Sequence, residues 1–254
     1  MITVSRNIAS YEKAYHSDYG FESVMVFYRR KFLLERLNIL KPKTVLEIGC
    51  GSELLYKHYC DQVGLVDKWV IVEPGRQFAE TARSSNLPNL IVIESFFEDA
   101  VEQVHALMPC APDFVVCSGL LHEVPDAQQL LTAIVEILRN HSVLHVNVPN
   151  ASSFHRQLAR SMGLIHDLKS LSVRNQKLIQ NRVYNRESLD CDLKDAGLSI
   201  EQKGGYLVKP FTHKQMEKIT SHLGDPVLNG LYQLGKELPE LASEIYAEAR
   251  KLDV

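Results

Sequence analysis

The chain lacks the features that mark membrane, disulfide-rich and metal-clustered proteins. In 254 residues no apolar run approaches the ~18–20 residues of a membrane-spanning helix, and the N-terminus has no apolar signal-peptide core. The five cysteines are scattered, odd in number and without a Cys-x-x-Cys pair, so neither a disulfide framework nor a structural zinc site is indicated. We expect a cytoplasmic protein with free thiols, no membrane partner and no metal.

An excess of charge of either sign is also absent. The chain has 28 Lys and Arg against 31 Asp and Glu, a formal net charge of −3. This balance leaves no excess of positive charge that would bind nucleic acid, so a nucleic-acid partner is not expected. Hydrophobic residues at 45% and charged residues at 23% are ordinary globular values, which exclude a disordered or fibrous chain.

Short apolar segments alternate with helical stretches between residues 44 and 148. Each segment is four to six residues long and rich in Val and Ile, a pattern typical of strands buried on both faces of a parallel sheet. The predicted strands are Thr44–Ile48, Trp69–Val72, Leu90–Ile93, Phe114–Cys117 and Val143–Val148. The predicted crossover helices are Glu53–Tyr59, Arg76–Ser84 and Ala127–Arg139. The expected fold is α/β, a doubly wound, mostly parallel, seven-stranded Rossmann-like sheet.

This pattern divides the chain into three regions. Residues 1–40 are predicted to form an N-terminal helical lid, and residues 41–211 the core. The core includes a polar, basic, mostly helical insertion at 150–186, after the fifth strand. Residues 212–254 are predicted to be a helical tail. Its expected breaks are at Asp225-Pro226 and Leu238-Pro239.

The last part of the core returns to the α/β pattern. A helix is predicted at Glu187–Ala196, capped by Gly197. Two apolar segments follow, Leu198–Glu201 and Tyr206–Val208. Gly204-Gly205 between them predicts an antiparallel hairpin that closes the sheet.

A buried strand that leads directly into a glycine turn carries the sharpest functional signal. Gly49-Cys50-Gly51 follows the first strand, and glycine permits a positive φ and close approach of a ligand. Glu73 ends the next strand, 24 residues after Gly49, where a carboxylate can accept hydrogen bonds from both ribose hydroxyls. A dinucleotide is disfavoured because Leu54 replaces the third fingerprint glycine. Glu47, before the turn, would repel a pyrophosphate but suits a cationic ammonium or sulfonium.

Three segments carry a family resemblance. They are Glu47–Gly51 (EIGCG), Glu73-Pro74 and Ser118–Asp126 (SGLLHEVPD). Together they resemble class I S-adenosylmethionine-dependent methyltransferases, in the small-molecule branch with ubiquinone-biosynthesis-like sequences. The resemblance covers roughly residues 40–150, and Val148–Asn150 and Arg182–Tyr184 are similar to the same branch. It implies S-adenosylmethionine as cofactor, S-adenosylhomocysteine as product, and methyl transfer to an oxygen or nitrogen of a small-molecule metabolite.

The resemblance also implies roles for single residues of a cofactor site. The implied contacts are with the methionine moiety, the ribose, the adenine and the methionine carbon chain. Glu47, Gly49, Cys50 and Gly51 would contact the methionine moiety, and Glu73 and Pro74 the ribose. Ser95, Phe96 and Phe97 would contact the adenine, and Ser118 and Gly119 the methionine carbon chain. Two departures stand out. Glu53 replaces the third glycine often found in the turn, and the acid common beside the adenine amine is missing unless Glu98 or Asp99 supplies it.

Two histidines are candidates for the general base that assists methylation of a hydroxyl. His155 follows the fifth predicted strand and His122 the fourth, and strand carboxyl ends border the site of an open α/β sheet. The alternatives are packing against the cofactor for His122 and a surface position for His155. The basic insertion indicates either a solvated helix face or a pocket for an anionic small-molecule acceptor. The predicted substrate contacts are Tyr15, Tyr19, Asn150 and Tyr184.

Two other functions share the same fold. An RNA or protein methyltransferase is one, although the chain has no Asn/Asp-Pro-Pro-Tyr segment and its overall charge is acidic. A non-catalytic protein that binds S-adenosylmethionine is the other, and retention of both Glu47 and Glu73 argues against it.

Overall fold

The fold is seen in a computed structural model, which describes residues 20–171, 180 and 182–252. The strands are β1 (Thr44–Ile48), β2 (Lys68–Val72), β3 (Leu90–Ile93), β4 (Phe114–Ser118), β5 (Val143–Pro149), β6 (Leu198–Tyr206) and β7 (Glu244–Lys251). The helices of the described ranges are α1 (Glu22–Leu40), α2 (Leu55–Gln62), α3 (Arg76–Ser84), α4 (Phe97–Leu107), α5 (Ala127–Ile137), α6 (Phe154–Ser161), α7 (Arg186–Asp195) and α8 (His213–Glu237). A short 3₁₀ turn at Pro239–Leu241 precedes β7.

All seven strands belong to one sheet, with the order β3-β2-β1-β4-β5-β7-β6. Strands β1 to β5 are parallel, and β7 runs antiparallel between β5 and β6. This confirms the predicted doubly wound, mostly parallel, seven-stranded sheet. The strand order reverses between β1 and β4, and the crevice beyond the carboxyl ends of the strands at such a point is where open α/β sheets bind ligands.

Each central strand is buried on both faces, which is why apolar residues dominate its sequence. Successive side chains of a strand point to opposite faces, so Leu46 and Val70 pack on the side of α4, α5 and α7. Val45, Trp69 and Phe114 pack on the other side, against α1, α2 and α3. The sheet therefore lies between two helical layers, and its carboxyl-terminal edge is left for the site.

Helix α4 is not among the helices predicted from the sequence. The helix begins after Phe96, carries Glu98 and Asp99 in its first turn, and buries Phe97 and Val104 against the sheet. Acidic residues in a first turn favour the positive end of the helix dipole, and the apolar spacing is helical. Both signals are present in the sequence.

The predicted hairpin at the end of the core is wrong. Strand β6 continues straight through Gly204 and Gly205 and pairs with β7, which lies in the tail predicted to be helical. A Cβ on Gly204 would lie 2.8 Å from the Tyr246 ring, and one on Gly205 would lie 2.6 Å from the Ala242 Cβ. The two glycines therefore permit close packing within a strand, instead of making a turn.

The two predicted breaks in the tail are confirmed. Gly224, just before Pro226, adopts φ 67° and interrupts α8, and α8 ends at Glu237, before Leu238-Pro239. Of the predicted lid, residues 1–19 lie outside the described residues, while α1 packs on the sheet through Leu33, Leu34 and Leu37. The described part of the predicted basic insertion contains α6.

Helix α1 is joined to β7 by a buried ion pair. Arg36 donates from Nε to Glu248 Oε1 at 2.8 Å and from Nη2 to Oε2 at 2.6 Å, and His145 Nδ1 lies 3.3 Å from Glu248 Oε1. Burial acts to raise the pKa of Glu248, but the hydrogen bonds from His145 and Arg36 outweigh it and lower the pKa to about 2. The charged form of Glu248 is therefore part of what holds α1 against the sheet.

Replacing Glu248 with Gln should lower the free energy of unfolding by about 3 kcal/mol at neutral pH, because the folded chain lowers the pKa of Glu248 from 4.5 to about 2. A lowered pKa stabilises the fold above pH ~4.5, and that contribution is lost as the pH falls toward ~2. The difference between wild type and variant, measured by urea unfolding, should therefore shrink at about pH 3. Glu80→Gln, in the exposed Arg76–Glu80 pair, is the control, with an expected change below about 0.5 kcal/mol. Equal effects of the two substitutions would contradict this assignment.

Candidate functional site

A cavity of about 350 Å³ opens at the carboxyl ends of β1, β2, β4 and β5. This is within the size range of small-molecule sites, and it lies at the reversal of strand order. Its walls come from the loops after these strands, from α1, from the start of α6 and from the segment before α8. The predicted site residues that line it are Glu47, Gly49, Cys50, Gly51, Glu73, Pro74, Phe96, Phe97, Ser118, Gly119, His122, Asn150 and His155.

The four other predicted site residues are Tyr15, Tyr19, Ser95 and Tyr184. Tyr15 and Tyr19 lie outside the described residues. Ser95 and Tyr184 are not among the described residues that line the cavity. Tyr184 is fully buried, and its hydroxyl donates to Asp192 Oδ2 at 2.7 Å. It therefore ties the end of the insertion to α7, and its predicted substrate contact stays a prediction.

Asn150 reaches the cavity wall, but its side chain is used within the fold. Its Nδ2 donates to the carbonyl oxygens of Glu240 and Ala242, both at 2.9 Å, and its Oδ1 accepts from the Ser152 backbone N–H at 2.9 Å. These bonds hold the loop after β5 against the turn before β7. The predicted substrate contact of Asn150 stays a prediction.

The glycine turn and the acid of β2 are brought into direct contact. Gly49 and Gly51 have φ values of 77° and 59°, the left-handed region that favours glycine. Glu73 Oε2 accepts from the backbone N–H of Cys50 at 3.0 Å and of Gly51 at 3.4 Å, and Oε1 accepts from Gly75 N–H at 2.7 Å. Burial raises the pKa of Glu73, and the three backbone bonds oppose that rise. The carboxylate is thus fixed at the cavity edge beside the turn.

Glu47 forms a second acidic group of the cavity. It is 4% exposed, and Trp69 Nε1 donates to its Oε2 at 2.8 Å. Burial raises the pKa of Glu47 to about 8, the Trp69 bond opposes this rise, and the nearby Glu73 adds to it. A cation bound beside Glu47 would favour the ionised carboxylate, because an opposite charge lowers the pKa of an acid.

Arg29 of α1 is a cavity residue that the sequence analysis does not predict. Its Nε donates to Glu244 Oε2 at 2.9 Å, and Glu244 also accepts from Asn147 Nδ2 and from the Tyr206 hydroxyl, each at 2.8 Å. Nη1 of Arg29 lies 3.8 Å from the position that a Cβ on Gly119 would take. A positive charge is therefore fixed over the loop after β4. No local pattern indicates it, since Arg29 and Glu244 are 215 residues apart.

Glu53, which replaces the expected third glycine, also has a partner on α1. It forms an ion pair with Arg30, and both side chains line the cavity. The glycine turn is therefore linked to α1 at the place where a tighter turn was expected.

His155, at the start of α6, lines the cavity in a cationic environment. Its Nδ1 is 3.1 Å from the Ser153 hydroxyl, which leaves Nε2 as the second ring nitrogen. Burial is the largest cause that lowers the pKa of His155 to about 2, followed by the charges of Lys209 and Arg156. Both burial and the neighbouring cations therefore disfavour the protonated form of His155.

His122 lies in the turn after β4. It is buried, its Nε2 is 3.7 Å from Glu123 Oε1, and both side chains line the cavity. Its backbone oxygen accepts from the Arg182 N–H at 3.3 Å. Both candidate bases therefore reach the same cavity, and the choice between them stays a prediction.

In the described ranges, no group of three or more His, Cys, Asp or Glu residues is placed to hold a metal ion. None of the described helices has the length and apolar character needed to cross a membrane.

Comparison with known proteins shows the family to which this fold and cavity belong. The sequence matches the methyltransferase domain family over residues 25–203, so the chain belongs to that family. It is 32% identical over 114 residues to the ubiquinone biosynthesis O-methyltransferase of Vibrio atlanticus, a match covering 44% of this chain and 45% of that protein. The enzyme of the same name from Saccharophagus degradans is 22% identical over 184 residues, covering 72% and 75%. With most of these curated relatives, including the first, the matched segment spans less than half of the relative's length.

Solved structures show the same fold over nearly the whole chain. The plantazolicin methyltransferase BpumL in complex with SAH superposes with a TM-score of 0.58 at 13% identity, covering 97% of this chain and 95% of that one. An S-adenosylmethionine-dependent methyltransferase from Mesorhizobium loti gives 0.53 at 13% identity, covering 85% and 96%. The predicted membership of the class I S-adenosylmethionine-dependent methyltransferases is confirmed.

Replacing Glu47 with Gln should stabilise the ligand-free protein, increasingly so at higher pH. The amide keeps an oxygen acceptor for Trp69 and removes an acid whose pKa is raised from 4.5 to about 8. An acid with a raised pKa destabilises the fold as the pH rises from 4.5 to 8 and has no such effect below 4.5. The stability gain should grow by up to about 1.4 kcal/mol per pH unit in this window, as measured by urea unfolding. Glu102→Gln, at an exposed position of α4, is the control. A gain for Glu47→Gln that is constant from about pH 5 to about pH 8 would be inconsistent with this account.

Proposed function

We propose that this protein transfers a methyl group from S-adenosylmethionine to an oxygen or nitrogen of a small-molecule metabolite, such as a secondary metabolite, a sugar or a related biosynthetic intermediate. The observation that carries the proposal is the cavity at the sheet's reversal point, where a positive-φ glycine turn is bonded to the acid of β2. Family membership supports methyl transfer, and relatives named for ubiquinone and plantazolicin support a small organic acceptor.

The residues at one end of the cavity fit the groups of this cofactor. Glu73 would accept from the ribose hydroxyls, and Phe96, 39% exposed at the cavity edge, offers an aromatic face to adenine. Glu47 lies in the cavity lining next to the glycine turn, where a sulfonium or ammonium would be stabilised by its negative charge. The guanidinium of Arg29, held by Glu244, would pair with a carboxylate over the loop after β4. When bound, S-adenosylmethionine supplies an already activated methyl group.

The chemistry then requires the chain mainly to place an acceptor in line. When two reactants are held close and aligned, a bimolecular encounter is replaced by an effectively unimolecular step. For an activated donor, this proximity effect is the main source of the rate enhancement. For a hydroxyl acceptor, His155 Nε2 would take the proton as the new bond forms, with His122 as the alternative base. An amine that binds deprotonated would need no base.

The acceptor end of the cavity favours a negatively charged small molecule. Lys209 and Arg156 both line it, and Lys209 is only 6% exposed. An acceptor with a carboxylate or phosphate would form charge-assisted hydrogen bonds with these two cations.

Replacing Glu73 with Ala should weaken S-adenosylmethionine binding about 10–150-fold, the effect of losing a charge-assisted hydrogen bond of ~1.5–3 kcal/mol. Isothermal calorimetry measures the dissociation constant, and Glu80→Ala, at an exposed position of α3, is the control. Because Glu73 also holds the turn, the melting temperature of each variant is compared with that of wild type. An unchanged affinity in Glu73→Ala would remove the ribose assignment.

Replacing His155 with Ala should reduce methyl transfer about 10²–10⁴-fold, the usual contribution of a positioned base. Affinity for S-adenosylmethionine should stay nearly unchanged, because His155 lies at the acceptor end. Release of homocysteine after hydrolysis of the product, measured across a panel of hydroxyl and amine metabolites, identifies the acceptor and tests the proposed function. Should His155→Ala keep full activity toward a hydroxyl acceptor while His122→Ala loses it, the base would be His122.

A further inference from the structure

The short segment from Arg182 to Tyr184 connects the two loops that lead to the candidate bases. The backbone N–H of Arg182 donates to the His122 oxygen, in the turn after β4, at 3.3 Å. The Tyr184 oxygen accepts from the backbone N–H of Ala151, in the loop after β5, at 2.7 Å. Val183, between them, lines the cavity, whereas Arg182 and Tyr184 are not among the described residues that do so. One segment therefore contributes to the cavity wall and is bonded to both loops.

The side chain of Asp192, in α7, holds both flanks of this segment. Its Oδ2 accepts from the Tyr184 hydroxyl at 2.7 Å. Nη2 of Arg182 donates to Oδ1 at 2.9 Å, and Nη1 lies 2.6 Å from Oδ2. The helix is itself anchored, because Leu189 and Leu193 are fully buried in the core. Asp192 therefore fastens the segment to the packed interior of the fold.

The bonds that start at Asp192 lead toward each candidate base. On the β4 side they end at the backbone oxygen of His122 itself. On the β5 side they reach the loop in which the Ser153 N–H donates to the Asn150 oxygen at 3.2 Å. The Ser153 hydroxyl in turn lies 3.1 Å from Nδ1 of His155. A shift of the segment would therefore disturb the surroundings of both histidines, whichever of them is the base.

A carboxylate at this position of α7 has a cost that an apolar side chain would avoid. Asp192 is 5% exposed, so its charge has lost most of its hydration, and its hydrogen-bond donors compensate for that loss. Hydrogen bonds have preferred distances and angles, whereas apolar contact is non-directional. The carboxylate therefore fixes the position of the segment more closely than apolar packing would.

We propose that Asp192 is a positioning residue for methyl transfer, which holds Val183 and the loops after β4 and β5 in place around the acceptor. This inference rests on the proposed function and gives a role to a residue that is not among the described residues lining the cavity. In-line transfer tolerates little misplacement, since a shift of about 1 Å can reduce a rate about 10²-fold. Loss of the Asp192 contacts should therefore lower kcat and leave cofactor binding intact.

Replacing Asp192 with Asn tests this directly, because the amide keeps the size of the side chain but leaves one oxygen acceptor in place of two. In the full chain, kcat should fall about 10–100-fold. The rate is measured by homocysteine release with the most active acceptor of the hydroxyl and amine panel, per cofactor-binding site counted by calorimetry. The KM for S-adenosylmethionine should change by less than about twofold, which separates loss of positioning from loss of cofactor binding.

Two further variants make the result specific. Asp195→Asn, at an exposed position of the same helix, is the matched control and should leave kcat unchanged. Tyr184→Phe keeps the buried ring and removes one donor to Asp192, so it tests the same contact if Asp192→Asn folds poorly. Its kcat should fall about 2- to 10-fold, the effect of one hydrogen bond. A lower Tm with an unchanged kcat per site in these two variants of the contact would show a purely structural role and overturn the proposal.

Amide hydrogen exchange, with S-adenosylhomocysteine bound, gives a readout that needs no acceptor. The amides of Ala151 and Arg182 should exchange about tenfold faster or more in Asp192→Asn than in wild type. Those of Cys50 and Gly51, which are bonded to Glu73, should keep the wild-type rate. Wild-type exchange at both Ala151 and Arg182 would contradict the proposal.

Calorimetry with S-adenosylmethionine distinguishes failure of this inference from failure of the proposed function. Intact cofactor binding, with kcat and exchange unchanged in Asp192→Asn, removes only the positioning role of Asp192. Absence of cofactor binding in the wild-type protein removes the proposed function itself.

Discussion

The buried carboxylate of Glu244 is the contact on which the cavity wall depends. It accepts hydrogen bonds from Arg29 of α1, Asn147 of β5 and Tyr206 of β6, so one side chain joins four elements of the fold. At 1% exposure, such a charge is tolerated only because these donors replace its lost hydration. The same contacts fix the Arg29 guanidinium over the loop after β4. The stability of this edge of the sheet and the positive charge in the cavity therefore have one physical origin.

The parts of the fold that could be predicted are those whose signal is local. Strands β1 and β3 were predicted with their observed bounds, because short segments dominated by Val, Leu and Ile favour strands of a sheet packed between helices. Strand β7 was missed because it carries Glu244 and Glu248 inside the sheet, and acids in a buried strand read as a polar helix face. Arg29 and Arg36, each more than 200 residues away, supply the positive charges that pair with these two acids. No local pattern relates these residues to one another.

The candidate site likewise has a part that local sequence patterns predicted and a part that depends on distant residues. The glycine turn and Glu73 are separated by one α/β unit, and this spacing predicted that both belong to one cofactor site. The bond between Glu73 and the turn was not predicted. Lys209 and Arg29 come from segments far from any motif, and no spacing relates them to His155 or Gly119. The titration behaviour of His155 could not be foreseen either, since it depends on burial and on a lysine 54 residues later in the chain.

The placement of β7 has a consequence for how the molecule is made. The central strand β5 stays an open edge during synthesis until β7, about a hundred residues later, adds to it, as in the pairing of Leu144 with Ala249. An unpaired apolar strand is a template for aggregation. Because β7 also delivers Glu244, the same event that covers this edge secures the Arg29 side chain. A nascent or truncated chain without β7 would therefore be prone to aggregation and would lack the contacts that position Arg29 in the cavity. Ligand binding would then show that β7 has joined the sheet.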